Sequence, residues 1–184
     1  MYYTLGDIIV PPKMIEFLDT TSKFGDGMIV QNGQAVLSDT RRTKVCMRYD
    51  NDWVGKFCRH HVQVINEDEY KFNLNDGFSD GRYQYAHYHV GHKYDWHVDQ
   101  IWKNNQLWHR KLSFSLILND DYEGGHFEFV EPVYGSELGW NIQRIPCKAG
   151  TMIVFPSIHA HRVTPVTKGI RKSLVGWCVG RQFV

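Results

Sequence analysis

The chain has 184 residues, 42% of them hydrophobic and 22% charged, and a formal net charge of +1. That balance belongs to a folded globular protein and excludes a disordered one, while near-neutrality leaves no field to draw in nucleic acid or an anionic membrane. The length suits a single domain with a core of its own.

Cys46, Cys58, Cys147 and Cys178 are far apart and form no C-x-x-C pair, which excludes a zinc knuckle or a thioredoxin-type motif. Scattered thiols suit a reducing compartment. The opening residues Met1 to Asp7 lack a basic segment followed by an apolar one, and no run approaches the ~18 apolar residues of a membrane span. A cytoplasmic location is the expectation. The short basic runs Arg41-Arg42 and Arg110-Lys111 read as solvated loops.

Pro11-Pro12 leads into Met14, Ile15, Phe17 and Leu18, a short helical apolar stripe with proline at its entrance. From Gly25 to Thr43 the chain is rich in Gly, Asp, Ser and Thr and predicts one short strand before a long loop. Asp50-Asn51-Asp52 then offers helix caps. Beyond it Val54, Phe57, Cys58, His61, Val62 and Ile65 recur at spacings of three and four, one face of an amphipathic helix. His61 lies on that face, where packing is expected of it rather than metal binding.

After Asn66 the period becomes two. Tyr70, Phe72 and Leu74 alternate with Lys71 and Asn73, predicting a strand closed by Asn75-Asp76-Gly77. Further strands are predicted from Arg82 to Val90, over Leu112 to Leu118, from His126 to Val130, from Thr151 to Phe155 and from Arg171 to Val179. Glu131 to Cys147 reads as a long loop. Helices first and many short strands after them predict an α+β chain whose main body is a β-sandwich or barrel.

Two residues apart on an extended strand, His97 and Asp99 point to one side and can present an imidazole and a carboxylate to one point. The pair is two thirds of a facial metal site. Alone it means little, because chance supplies roughly one such pair in a chain this rich in histidine. A second imidazole can come from His159 or His161, which share a face if extended, and spacing does not choose between them. On the final strand Arg171, Ser173, Val175 and Trp177 share a face. An arginine there beside a buried tryptophan is costly unless it pairs with an anion, either an internal carboxylate or a ligand's.

The ordered set Tyr88-x-x-Gly91-x-x-Tyr94-x-x-His97-x-Asp99, then Arg110-x-Leu112-Ser113 with Gly124-Gly125, then His161-x-Val163-x-Pro165-Val166-x-x-Gly169-x-Arg171 resembles the iron(II)/2-oxoglutarate dioxygenases of prolyl 4-hydroxylase type. The resemblance covers about half the chain, from Gln84 to Trp177. It implies a double-stranded β-helix (jelly roll), with helical support over about 11–66 and the jelly-roll core over about 70–184. It selects His161 over His159 and implies His97, Asp99 and His161 as the ligands of Fe(II). It further implies Arg171 and Tyr88 as the partners of the distal carboxylate of 2-oxoglutarate, O₂ as co-substrate, and ascorbate as a reductant. Tyr94, Arg110 and Trp177 fall where peptide prolyl hydroxylases keep substrate-facing groups.

The implied reaction couples decarboxylation of 2-oxoglutarate to succinate with hydroxylation of a C–H bond on a prolyl residue of a peptide or protein. Asp99 favours hydroxylation over halogenation, since halogenating relatives carry a small residue there. The chain departs from the family where Gly124-Gly125 is followed by His126-Phe127 instead of glutamate, so His126 either reshapes the substrate side or points outward. Two alternatives stand beside this reading: the same chemistry on a free amino acid or small metabolite, and a non-catalytic jelly-roll binding module.

Overall fold

The computed structural model describes residues 3–31, 34–100, 107–132 and 139–181. Its strands form two main antiparallel sheets laid face to face. The larger runs Thr4–Asp7, Thr151–Pro156, Trp108–Ile117, Arg171–Arg181, Arg82–Tyr88, Lys44–Tyr49, Gly25–Asp26, and Leu74–Phe78 also pairs with the Arg171–Arg181 strand. The smaller runs Trp140–Ile145, Phe127–Pro132, His161–Val163, Lys93–His97, Arg41–Arg42. This is the expected double-stranded β-helix, with two helices on the outer face of the larger sheet.

Alternation along the strands sorts side chains into two cores. On the Trp108–Ile117 strand, Leu112, Phe114 and Leu116 pack with Tyr83, Tyr85, Met152, Val154 and Leu174 against the helices. A second core fills the space between the sheets, with Ala86, Tyr88, Phe127, Phe129, Ile153, Phe155 and Val163. The polar residues of the same strands, Ser113, Ser115, Ser173 and Arg171, are also buried, and Ser115, Ser173 and Arg171 line the same inter-sheet space.

Helix α1 spans Pro12–Thr21, with proline at its first position, where the missing N–H costs nothing. It buries Met14 and Leu18. Helix α2 spans Trp53–Ile65 and buries Val54, Cys58 and Val62. An isolated helix of that length is marginal in water; each fully buried apolar side chain contributes about 1.5–3 kcal/mol, so docking on the sheet is what holds it. The Asp52 side chain caps it, accepting from the Gly55 backbone N–H at 2.7 Å. His61 packs its ring edge-on against Phe57 at 4.6 Å.

Four expectations need correction. Residues Asn66–Tyr70 form a π-helical turn ended by Lys71 at φ 56°, and the strand lies later, over Leu74–Phe78, running through Asn75-Asp76-Gly77. The cause is Asn66: its amide donates to the Phe72 carbonyl at 2.9 Å and accepts from the Phe72 N–H at 3.0 Å, taking both groups away from any ladder. The 25–43 segment holds four short strands, Gly25–Asp26, Ile29–Gln31, Gln34–Val36 and Arg41–Arg42, instead of one. Within the segment expected as a long loop, Trp140–Ile145 pairs with Phe127–Pro132. Last, the 11–66 support is not only helical, because Lys44–Tyr49 pairs with Arg82–Tyr88 as a full member of the larger sheet.

Candidate active site

His161 and His97 face each other across neighbouring strands of the smaller sheet, in direct register, with ring centroids 4.2 Å apart. Asp99 follows just beyond the end of the Lys93–His97 strand. Its backbone N–H donates to the Ser157 carbonyl at 2.9 Å, and the Asp99 carbonyl accepts from Arg110 at 3.2 Å. Ser113 and Ser157 share a hydrogen bond of 2.9 Å. The Asp99 backbone is thus tied to the larger sheet while the imidazoles stand on the smaller one.

The ring orientations follow from two backbone carbonyls. His97 Nδ1 lies 2.8 Å from the Asp95 carbonyl oxygen, and His161 Nδ1 lies 2.9 Å from that of His159. A carbonyl only accepts, so each Nδ1 carries the hydrogen and each Nε2 presents its lone pair. Those Nε2 atoms lie 3.6 Å and 3.5 Å from the two oxygens of Asp99, and one donor atom from each of the three residues falls within 4.8 Å of the others. Burial and the adjacent His161 push His97 down to about 4, keeping its ring neutral. Asp99 stays below the ordinary carboxylate range: burial alone would raise it, but His161, His97 and Ser113 outweigh that. Two imidazoles and a carboxylate are a donor set suited to a divalent transition metal with open positions.

His159, the other candidate in the sequence, is not in this group; it contributes the carbonyl that orients His161. His126 does not line the chamber either. Its backbone bonds to Thr164 in both directions at 2.9 Å, and its side chain feels Arg144 and Glu128. On that outer face Glu128 accepts from Arg162 at 2.7 Å and Arg144 at 2.9 Å.

Arg171 enters the same chamber from the larger sheet, paired in register with Tyr88. It is 1% exposed. Its Nη1 donates to Ser173 Oγ at 3.0 Å, while among the described residues Nε and Nη2 make no hydrogen bond. A buried guanidinium with two unsatisfied nitrogens costs several kcal/mol unless an anion meets it. The donor set for a metal and an unpaired cation shaped for a carboxylate therefore open on one chamber. Gly125 is part of the fit: at φ +57° it suits glycine, and a Cβ there would come within 3.0 Å of Arg171 Cδ and of Val166.

The three expected substrate-side residues also gather here. The Tyr94 ring stacks on His97 at 3.5 Å and 13°. The Arg110 guanidinium lies 4.0 Å over the Trp177 ring and donates to the Asp99 carbonyl at 3.2 Å. All three line an open cleft of about 640 Å³ that ends at His97 and Asp99. Of the tryptophans, Trp96 is partly exposed under the Arg162 guanidinium and Trp108 is exposed; Trp102 lies outside the described residues.

The reading of both basic runs as solvated loops is overturned. Arg110 and Lys111 belong to a strand, with Lys111 buried. Arg42 is exposed and pairs with Asp39 at 2.6 Å, but Arg41 turns inward and lines both chamber and cleft. A two-residue strand inside a polar, Gly-rich stretch leaves no period from which Arg41 could have been found.

A model of the 2OG-Fe(II) oxygenase superfamily matches residues 83–179. Similar proteins include PKHD-type hydroxylases. That of Synechococcus sp. (strain CC9902) is 40% identical over 90 residues, 48% of this chain and 36% of that protein. That of Rippkaea orientalis is 38% identical over 96 residues, 50% of this chain and 40% of that protein. The matched part thus spans well under half the length of these relatives. Among solved structures, a Pseudomonas putida prolyl-4-hydroxylase aligns over 98% of this chain and 92% of its own, with a TM-score of 0.67 at 20% identity. The viral collagen prolyl hydroxylase of Paramecium Bursaria Chlorella virus-1, in its 2OG complex, aligns over 98% and 97% with a TM-score of 0.67 at 16% identity. These two likenesses concern the fold.

Proposed function

The chain belongs to the 2OG-Fe(II) oxygenase superfamily, and from that membership we propose that it is a Fe(II)- and 2-oxoglutarate-dependent hydroxylase acting on a prolyl residue of a peptide or protein. One observation supports the reading above others: the unpaired Arg171 guanidinium and the three-donor cluster share one buried chamber.

In this reading His97, Asp99 and His161 hold Fe(II). Arg171, with Tyr88 beside it, takes the distal carboxylate of 2-oxoglutarate. Bound together, metal and co-substrate would activate O₂, the oxidant, with one oxygen atom going to succinate as 2-oxoglutarate loses CO₂ and the other to the substrate C–H bond. The chain's own contribution is placement. The Asp95 and His159 carbonyls orient the imidazoles with Nε2 toward Asp99, the two histidines hold the Asp99 carboxyl below its usual range, and the Ser157 carbonyl fixes its backbone. Arg171 sets the depth of the co-substrate by a charge-assisted, bidentate contact. Phe127, Phe155 and Val163 wall the chamber and exclude water from the reacting centre. Tyr94, Arg110 and Trp177 line the cleft by which a substrate reaches the metal.

The test is incubation of proline-containing peptides with the protein, Fe(II), 2-oxoglutarate and ascorbate, followed by mass spectrometry. The expected outcome is one added oxygen at a defined prolyl residue, with succinate formed in step. Absence of Fe(II)-dependent succinate under every condition would refute the dioxygenase reading.

A further inference from the structure

Arg41 is a cation in the cleft whose partners are all neutral. Its Nη1 donates to the Met28 carbonyl at 2.9 Å and its Nη2 to Gln84 Oε1 at 2.8 Å, while the buried Nε has no partner among the described residues. The guanidinium lies over the Tyr94 ring, 4.7 Å from its centroid, and the other face of that stack is His97. Arg110 faces the same cleft, again with neutral acceptors only, Ser79 Oγ at 3.4 Å and the Asp99 carbonyl. Among the described residues, no ion pair reaches either arginine.

Two partly buried guanidinium groups with no carboxylate at ion-pair distance repel each other, and the more distant Asp99 and Asp80 offset that only in part for Arg110. A carboxylate between them would relieve that repulsion, and Asp80, which also lines the cleft, comes no nearer than the ion-pair limit. Resting on the hydroxylase reading above, we propose that Arg41 is a specificity-determining residue. With Arg110 it forms a carboxylate subsite, and the substrate is a peptide carrying Asp or Glu within two residues of the hydroxylated one. The distance follows from the stack: the Arg41 guanidinium is separated from His97 by one aromatic ring, a span that an extended peptide covers in about two residues at roughly 3.3 Å each. A peptide is favoured over a lone amino acid by the remainder of the cleft. Met28, Val30 and Trp96 line it while 49%, 55% and 36% exposed, an apolar wall that a single residue would leave in water.

The test is a peptide mixture with a central proline and every residue represented at the two positions on each side. It is prepared once with amidated and once with free C-termini and supplied to the Fe(II)- and 2-oxoglutarate-loaded protein. Oxygenated products from the amidated mixture are expected to be enriched at least tenfold in Asp and Glu over Asn and Gln at one flanking position. For the preferred peptide, Arg41→Gln should raise KM at least tenfold. For its Asp→Asn counterpart it should change KM little, and Arg41→Lys should recover part of the preference. A purely structural role for Arg41 would weaken both peptides alike and would overturn the proposal. Oxygenated products without an acidic bias, or with one only in the free-acid mixture, overturn it while leaving the hydroxylase reading intact. Succinate formed with no peptide oxygenated overturns the peptide class; no succinate at all fails the reading on which it rests.

Discussion

His97 and His161 are aimed by their own backbone neighbours, and this makes the residue scale sharply testable. Each ring is fixed by a carbonyl two residues earlier in the chain, so the donor geometry survives loss of a partner but not loss of a donor. His97→Ala or Asp99→Ala should abolish stoichiometric Fe(II) binding and 2-oxoglutarate-dependent succinate formation; a variant that keeps both would move the metal elsewhere. Arg171→Ala should raise KM for 2-oxoglutarate at least tenfold, the scale of a lost charge-assisted pair of about 1.5–3 kcal/mol. An unchanged KM would take the carboxylate contact away from this residue. The His97–Asp99 pair was legible through its spacing of two, and Arg171 through sharing a strand face with Trp177, whereas His161 was chosen over His159 by the family resemblance and not by spacing. Arg41 was not legible. Its inward turn depends on the Met28 carbonyl and Gln84 amide, contacts spanning 13 and 43 residues that no local pattern records.

At the scale of elements, two outcomes separate capping from titration. Asp52 caps α2 and also accepts from the buried Tyr83 hydroxyl at 2.9 Å and from Arg48 at 3.2 Å. Asp52→Ala removes the cap, about 1 kcal/mol, and leaves the buried Tyr83 O–H without its acceptor, though the oxygen still accepts from Arg48, about 1–3 kcal/mol more. Chemical denaturation should therefore show roughly 2–4 kcal/mol of lost stability with an unchanged slope. On the Arg82–Tyr88 strand, His87 is packed against Phe24 at 4.2 Å; burial, and then Lys172, hold it down to about 4. A lowered imidazole pKa means that the unfolded chain binds the proton first. The stability it lends is whole above pH 6.5, declines as pH falls from 6.5 to about 4, and is flat below. Melting curves across that window should show His87→Gln less sensitive to acid than the wild type, by roughly 2 kcal/mol once solvent screening is allowed for. Equal slopes would rule out burial of a neutral ring. Helix α2 was legible through its 3.6-residue period and its cap. The strand placed over Tyr70 to Leu74 was not, because Tyr70, Phe72 and Leu74 all pack on the core and so imitate alternation, while the Asn66 side chain holds the backbone out of the sheet.

For the whole molecule, the division of the site between two sheets decides how ligands and stability are linked. His97 and His161 belong to the smaller sheet, whereas Arg171 and Tyr88 belong to the larger, and the hydrophobic core between them is continuous with the chamber. A metal ion would tie the two imidazoles to Asp99, whose backbone is itself anchored through Arg110 to the larger sheet. A dicarboxylate would then bridge metal and Arg171, closing the gap a second time. Binding to the folded state alone stabilises it by mass action, about 2.7 kcal/mol at a hundredfold excess over Kd. Mn(II), a divalent ion offered to the same three donors, should raise Tm by itself. 2-Oxoglutarate should raise it further only when Mn(II) is present. In Arg171→Ala the first increment should persist and most of the second should vanish, whereas in Asp99→Ala both should go. If 2-oxoglutarate stabilises the metal-free protein as strongly as the loaded one, Arg171 binds it without the metal and the two halves of the site act independently. An additive pair of shifts would thus sink the bridged arrangement, because the bridge requires the second ligand to depend on the first.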